Sequence, residues 1–193
     1  MNGRCPWCLG SQLYRDYHDL EWGRPQHDDR HLFEMLILEG AQAGLSWSTI
    51  LNKREHYRRA FDGFEAEKIA RYGEADRQRL LADAGIVRNR LKIDAAIGNA
   101  RAYLELRDSG TTLDAWLWNW VDGQPILNHW SAGGQVPAKT ALSDRISKAL
   151  LKQGYKFVGS TIIYAYLQAV GVVNDHLTSC YLHPDAAAPG IKA

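Results

Sequence analysis

The sequence predicts an all-α fold, and three observations carry that prediction. Apolar residues recur at helical spacing in segment after segment, side chains suited to helix capping precede two of those segments, and strand-like alternation is essentially absent. Asp28 or Asp29 caps a helix whose core face is Leu32, Phe33, Leu36 and Ile37. Gly44 breaks the chain, and Ser46 caps the next helix, Trp47–Phe61. Shorter helices are expected over Glu65–Tyr72 and Glu74–Asp83. The segment Asn89–Arg107 carries Ile93, Ile97, Ala100 and Leu104 on one face. Leu113–Val121, with Trp116, Trp118 and Trp120, reads as a further helix. Gly123, Pro125, Gly133, Gly134 and Pro137 make Asp122–Thr140 an irregular loop. Ser143–Gln153 and Gly159–Val173 close the series.

Length and composition fit one helical domain over residues 1–193, with 46% apolar residues to fill a core. A formal net charge of +1 excludes bulk polyelectrolyte attraction to nucleic acid, so any DNA reading must rest on local chemistry. The opening MNGRCPWCLG lacks the apolar stretch of a secretory signal. The longest apolar run, Gly159–Val173, is too short and too interrupted by Gln168 to span a bilayer, so no membrane partner is expected. Three cysteines, an odd number, point to reduced thiols and a cytoplasmic setting.

Three groups of residues carry chemistry. Cys5 and His18 lie near the start, and His176 and Cys180 near the end in H-x3-C spacing, which on a helix would place both on one face. Two thiolates and two imidazoles are a common structural zinc set, but Cys5 and Cys8 form a C-x2-C that could supply both thiolates, and spacing alone equally fits ordinary buried core residues. Residues 80–99 read as helix, short turn opened by Gly85, helix. Arg88, Arg90 and Lys92 add three cations in a geometry suited to a phosphate, although most such pairs are structural. Finally, Tyr14, Tyr17, Trp22 and Trp47 flank Glu39, a carboxylate at the end of its apolar helix, where it opposes the helix dipole and needs a partner or a proton. A salt bridge to an arginine, and core packing of the aromatics, are the plain alternatives.

Taken together, the strings RCPW, LYRDYHDLEWG, LFEMLILEGAQAGLSW, AGIVRNRLKI, IGNARAYL and KFVGSTIIYAYLQAVGVVNDH resemble the DNA-3-methyladenine glycosylase I family of the helix-hairpin-helix glycosylase superfamily. The likeness runs from about Arg4 to His183. It implies an all-helical fold with a hairpin that docks on the DNA backbone. It also implies one structural zinc on Cys5, His18, His176 and Cys180, clipping the two ends together, and a base pocket built on Glu39, Tyr14, Tyr17 and Trp47. Two departures stand out: Cys8 is an extra thiol beside the implied metal, and the Gly85 turn lacks the superfamily's second glycine.

The activity so implied is hydrolytic removal of 3-methyladenine from alkylated double-stranded DNA, after the nucleotide is flipped out of the duplex. A cationic base stacked on Tyr or Trp gains about 0.5–2 kcal/mol, and Glu39 accepts hydrogen bonds from its donor edge as the residue on which recognition and catalysis depend. No lysine falls among the pocket residues, so hydrolysis without strand cleavage is expected. The superfamily's usual catalytic aspartate is not evident, Asp108 being placed for it only by distance. Gln42, Gly44 and Leu45 are expected to wedge into the gap left in the stack. A monomer suffices for all of this. Two other classes compete: a DNA-damage-binding module that releases no base, and a zinc hydrolase, which needs an open coordination position.

Overall fold

The computed structural model describes residues 3–186. Nine α-helices dominate them. α1 spans Gln12–Leu20, α2 Asp29–Ala41, α3 Trp47–Ala60, α4 Ala66–Ile69, α5 Glu74–Ala82, α6 Arg90–Asp108, α7 Leu113–Trp118, α8 Ala141–Lys152 and α9 Ser160–Ala169. None is long and apolar enough to cross a membrane.

α2 organises the rest. Every residue from Leu32 to Ala41 is buried, so beyond its first turn this helix has no solvent face. It packs against α3, α6, α7 and α9. Its start is fixed by Asp28, whose side chain accepts the His31 N–H at 2.8 Å. α3 starts on Ser46, which accepts the Thr49 N–H at 3.2 Å. Because α2 is enclosed on all sides, its two carboxyls, Glu34 and Glu39, must find partners inside the protein or give up their charge. Glu34 is paired: Arg54 Nε donates to its Oε1 at 2.6 Å, and Arg58 joins from the same helix. Arg54 also reaches Glu21 at 2.7 Å, tying α1, α2 and α3 together.

Four expectations from the sequence need correction. α1 was not anticipated, although Ser11 caps it by accepting the Tyr14 N–H. The last long helix ends at Ala169, not Val173, and His176 and Cys180 lie in irregular chain rather than on a helix. The cause is Gly171, at φ +73°, where any Cβ would fall 2.1 Å from the Arg24 carbonyl carbon. Val173–Asn174 then pair in parallel with Ile126–Leu127, a two-residue ladder that the all-helical reading omitted. The expected 65–72 and 113–121 helices are shortened to α4 and α7, the latter passing into a 3-10 turn over Asn119–Val121.

The first described residues meet the segment around Cys180. Gly3 N–H donates to Ser179 O at 3.1 Å and Tyr181 N–H to Gly3 O at 3.0 Å, so the first described residues run beside Cys180.

Candidate functional site

Between these paired segments and the end of α2 lies a cavity of about 530 Å³, lined by Trp7, Tyr14, Tyr17, Trp22, Glu39, Gln42, Trp47, Gln168 and Asp175 among others. Its size falls in the range of small-molecule sites. α1 supplies Tyr14 and Tyr17 from positions i and i+3, which share one face. α2 contributes Glu39 from its last turn, and Trp47 is the first residue of α3. The Tyr17 and Trp47 rings are tilted at 45° with centroids 5.5 Å apart. Trp7 packs edge-on against Tyr14 at 5.1 Å and Trp22 at 4.9 Å.

Three buried polar atoms on this cavity have no hydrogen-bond partner among the described residues: Tyr17 Oη, Glu39 Oε2 and Trp47 Nε1. Such orphans are costly, about 1–3 kcal/mol each, and a group of three on one cavity marks a place where a polar ligand completes the bonding. Glu39 lacks the arginine of the salt-bridge alternative. Burial alone pushes its carboxyl up to about 8, so near neutral pH it stands mostly as the acid. The anion expected from the sequence therefore requires a cation to arrive.

Behind the cavity, Asp175 accepts four hydrogen bonds, from Asn128 Nδ2 (2.7 Å), Trp130 Nε1 (2.8 Å), Tyr164 Oη (2.5 Å) and Gln168 Nε2 (2.8 Å). It thereby pins the 128–130 loop to α9.

Cys5, His18, His176 and Cys180 come together, all buried, with their ligand atoms within 4.8 Å of one another. Cys180 Sγ lies 3.5 Å from His18 Nε2 and 3.6 Å from His176 Nδ1, and Cys5 Sγ lies 3.8 Å from His176 Nδ1. A zinc tetrahedron with arms of about 2.3 Å to sulfur and 2.0–2.1 Å to nitrogen has S···N edges of roughly 3.5 Å, so the group fits that ion. The remaining ring nitrogens are anchored as metal-bound histidines usually are. His18 Nδ1 bonds Asp19 Oδ1 at 2.8 Å, and His176 Nε2 faces Trp22 O at 3.1 Å. Cys8 stands outside the group, its thiol donating to Cys5 O at 3.1 Å. A second cluster, His129, His183 and Asp185, suits a metal poorly. Both His183 nitrogens are engaged, Nδ1 by the Asp185 N–H at 3.1 Å and Nε2 with Asn128 O at 3.0 Å.

α5 and α6 are joined by a turn over residues 83–89, and its parts are used differently from the sequence reading. Gly85 is required by His56, whose ring carbon would lie 2.5 Å from a Cβ there, and its N–H is taken by Asp83 Oδ1 at 2.7 Å. Val87 N–H donates to Tyr57 Oη at 3.1 Å. Arg90 is held by Glu74 Oε2 at 3.0 Å and lies 3.8 Å from Asp94 Oδ2. Lys92 turns inward to backbone carbonyls and is no longer a free cation. Arg88 is exposed and enters none of the ion pairs among the described residues.

A family model described as methyladenine glycosylase matches residues 7–183. The chain belongs to the methyladenine glycosylase family. It is 49% identical over 181 residues to DNA-3-methyladenine glycosylase 1 of Escherichia coli K12, spanning 94% of this chain and 97% of that protein. Its fold matches a crystal structure of a 3-methyladenine DNA glycosylase I with a TM-score of 0.92 at 50% identity, covering 94% of this chain and all of the other. It also matches the Staphylococcus aureus 3-methyladenine DNA glycosylase I, solved for the structural basis of 3-methyladenine recognition. That match has a TM-score of 0.90 at 34% identity and covers 94% and 96% of the two chains.

Against this family, the helical fold and the glycosylase assignment hold as expected. The structure gathers all five aromatic and carboxyl candidates, Tyr14, Tyr17, Trp22, Glu39 and Trp47, onto one cavity. Sequence reasoning missed Trp7, Gln168 and Asp175. Trp7 had a signal, lying between Cys5 and Cys8 and so necessarily close to whatever those thiols approach.

Proposed function

We propose that this chain hydrolyses the N-glycosidic bond of 3-methyladenine in alkylated double-stranded DNA, releasing the free base and leaving an abasic site. The observation carrying this reading is the trio of unpartnered polar atoms, Tyr17 Oη, Glu39 Oε2 and Trp47 Nε1, on an aromatic-walled cavity. A flipped purine fills the space between the rings and offers its edge to those atoms. The 3-methylated nucleotide is cationic, so its approach favours ionisation of Glu39, and the charged pair then forms in a site of low dielectric. The C1′–N9 bond breaks with its electron pair going to the base, which becomes neutral. Water adds to C1′ and loses a proton to solvent, and no residue of the chain forms a covalent bond. Positioning of the base and the charge opposite it supply the catalysis.

The Gln42–Leu45 turn is assigned to the gap in the base stack. Leu45 N–H closes it onto Gln42 O at 2.6 Å, Gly44 takes φ +77°, and Leu45 is 42% exposed. Cys5, His18, His176 and Cys180 would hold one zinc ion. As a closed set of four it would fasten the chain ends and would leave no position for water, which argues against a zinc hydrolase. The unit of function is one helical domain acting as a monomer in the cytoplasm.

Release of 3-methyladenine from methylated duplex DNA tests the reading directly. Retention on damaged duplex without base release would assign the chain instead as a damage-binding module. For the hairpin, Arg88 and the outward N-terminus of α6 are assigned to phosphate. Arg88→Ala is expected to weaken binding of abasic duplex and flatten its log–log salt dependence by about one unit. Arg90→Ala should have the smaller effect, because Arg90 must first leave Glu74. Parent-like affinity and slope in the double variant would take this hairpin off the DNA.

A further inference from the structure

Lys92 stands near the start of α6, next to the hairpin turn, yet its side chain reaches back to the end of α2. The ammonium donates to Ala41 O at 2.7 Å and to Ala43 O at 2.6 Å. The last carbonyls of a helix have no partners within it, and they carry the negative end of its dipole. Lys92 thus satisfies two acceptors at the point where α2 gives way to the Gln42–Leu45 turn. Two turns further along α6, Asn99 grips the backbone of Lys156 from both sides, accepting its N–H at 2.8 Å and donating to its O at 3.0 Å. That holds Phe157, itself at φ +54°, against Gly40, where a Cβ would come within 3.2 Å of Phe157. The final turn of α2 is therefore caught between Lys92 on one side and Phe157 on the other, and both grips come from α6. Glu39 lies in that same turn.

We propose that Lys92 is a positioning residue, one that makes no phosphate contact and instead fixes the end of α2, so that the Gln42–Leu45 turn and the Glu39 wall keep a set relation to the hairpin. This deepens the functional reading above and rests on its assignment of the turn to the duplex. Docking of the hairpin on the DNA backbone then places the turn and the pocket over the flipped nucleotide through α6. Without the ammonium, two carbonyls lose their partner and the turn is free to shift. A displacement of about an ångström can cost about a hundredfold in rate even away from the reacting atoms.

The test uses the full chain with Lys92→Met, which keeps the apolar stem but removes the donors, and Lys92→Arg, which restores them. Single-turnover excision from methylated duplex, salt dependence of abasic-duplex binding and thermal unfolding are measured on each. Lys92→Met is expected to slow excision by about tenfold or more and to leave the salt slope unchanged, with Lys92→Arg recovering most of the rate. A slope lowered by about one unit would put Lys92 on a phosphate and overturn the proposal. So would parent-like excision, or a loss of activity explained wholly by the unfolded fraction. Leu45→Ala separates the two readings. If it excises like the parent while Lys92→Met is slow, the assignment of the turn to the duplex fails and Lys92 acts through the Glu39 wall. If Leu45→Ala is slow and Lys92→Met is not, the role of Lys92 alone fails.

Discussion

Glu39→Gln is expected to weaken binding of free 3-methyladenine and to slow excision ten- to a hundredfold, while the variant folds and still binds abasic duplex. The magnitude follows from a charge-assisted hydrogen bond of about 1.5–3 kcal/mol, converted at about 1.4 kcal/mol per tenfold. The stability of the variant provides an independent reading of the same group. Burial raises the folded-state value of Glu39 to about 8, from an ordinary 4.5. The folded protein thus holds this proton more tightly than the unfolded chain. Its stabilising contribution is fully present below pH 4.5 and declines as pH rises, being lost by about pH 8. Gln cannot titrate, so the variant escapes that decline. The melting temperature of Glu39→Gln should therefore gain on the parent between pH 5 and pH 8.5, by an amount on the order of a few kcal/mol in stability. A salt-bridged glutamate would give the opposite result, with the variant less stable at every neutral or alkaline pH. A destabilised variant that binds the free base like the parent would sink the recognition role.

That behaviour of Glu39 could be read only partly from the sequence, and the reason is physical. A carboxyl at the end of an apolar helix predicts a strained charge, because Leu36, Ile37 and Leu38 just before it leave that stretch of helix without a polar face. Whether an arginine reaches it depends on other helices. Arg54 and Arg58 on α3 go to Glu34 instead, five residues earlier on α2. The same division runs through the fold. Helices begun by Asp28 and Ser46 were legible because a cap acts within three residues. α1 escaped notice because Leu13 and Leu20 are exposed and its buried residues, Tyr17 and His18, serve the cavity and the Cys/His group rather than an apolar core face. Gly171 looked like one more small residue in an apolar run until Arg24, almost 150 positions away, supplied the backbone that forbids a side chain. Lys92 counted as a free cation because its acceptors lie 51 and 49 residues upstream. Short-range signals survive in sequence, whereas contacts between distant segments leave no period to find.

The Cys/His group is where the largest loss of stability is expected. Cys180→Ser should lower zinc from about one per chain to near none and depress the melting temperature steeply. Four groups converge from segments near the two ends of the chain, and the backbone hydrogen bonds of Gly3 with Ser179 and Tyr181 supplement them. Without an ion, two thiols and two imidazoles would be buried together with contacts of 3.5–3.8 Å, satisfying one another only by sharing protons. The Cys180 thiol is accordingly pulled well down by donors, first Cys5 and then the two imidazoles, while the Cys5 thiol that donates to it is pushed up and keeps a proton that a bound zinc would displace. Structural zinc contributes apparent binding free energies of about 10–16 kcal/mol in small zinc peptides. Loss of only about 4 kcal/mol would lower the melting temperature of a chain this size by roughly 8–16 °C. Cys8→Ser is the matched control, since a hydroxyl can also donate to Cys5 O and the four ligands stay intact. It should keep its zinc and melt near the parent. Metal content by mass spectrometry and melting with and without chelator decide the matter on the same samples. Zinc that stays with Cys180→Ser but leaves with Cys8→Ser would transfer the thiolate role to Cys8, and a zinc-free parent with an unchanged melting temperature under chelation would reduce the group to a hydrogen-bonded clasp.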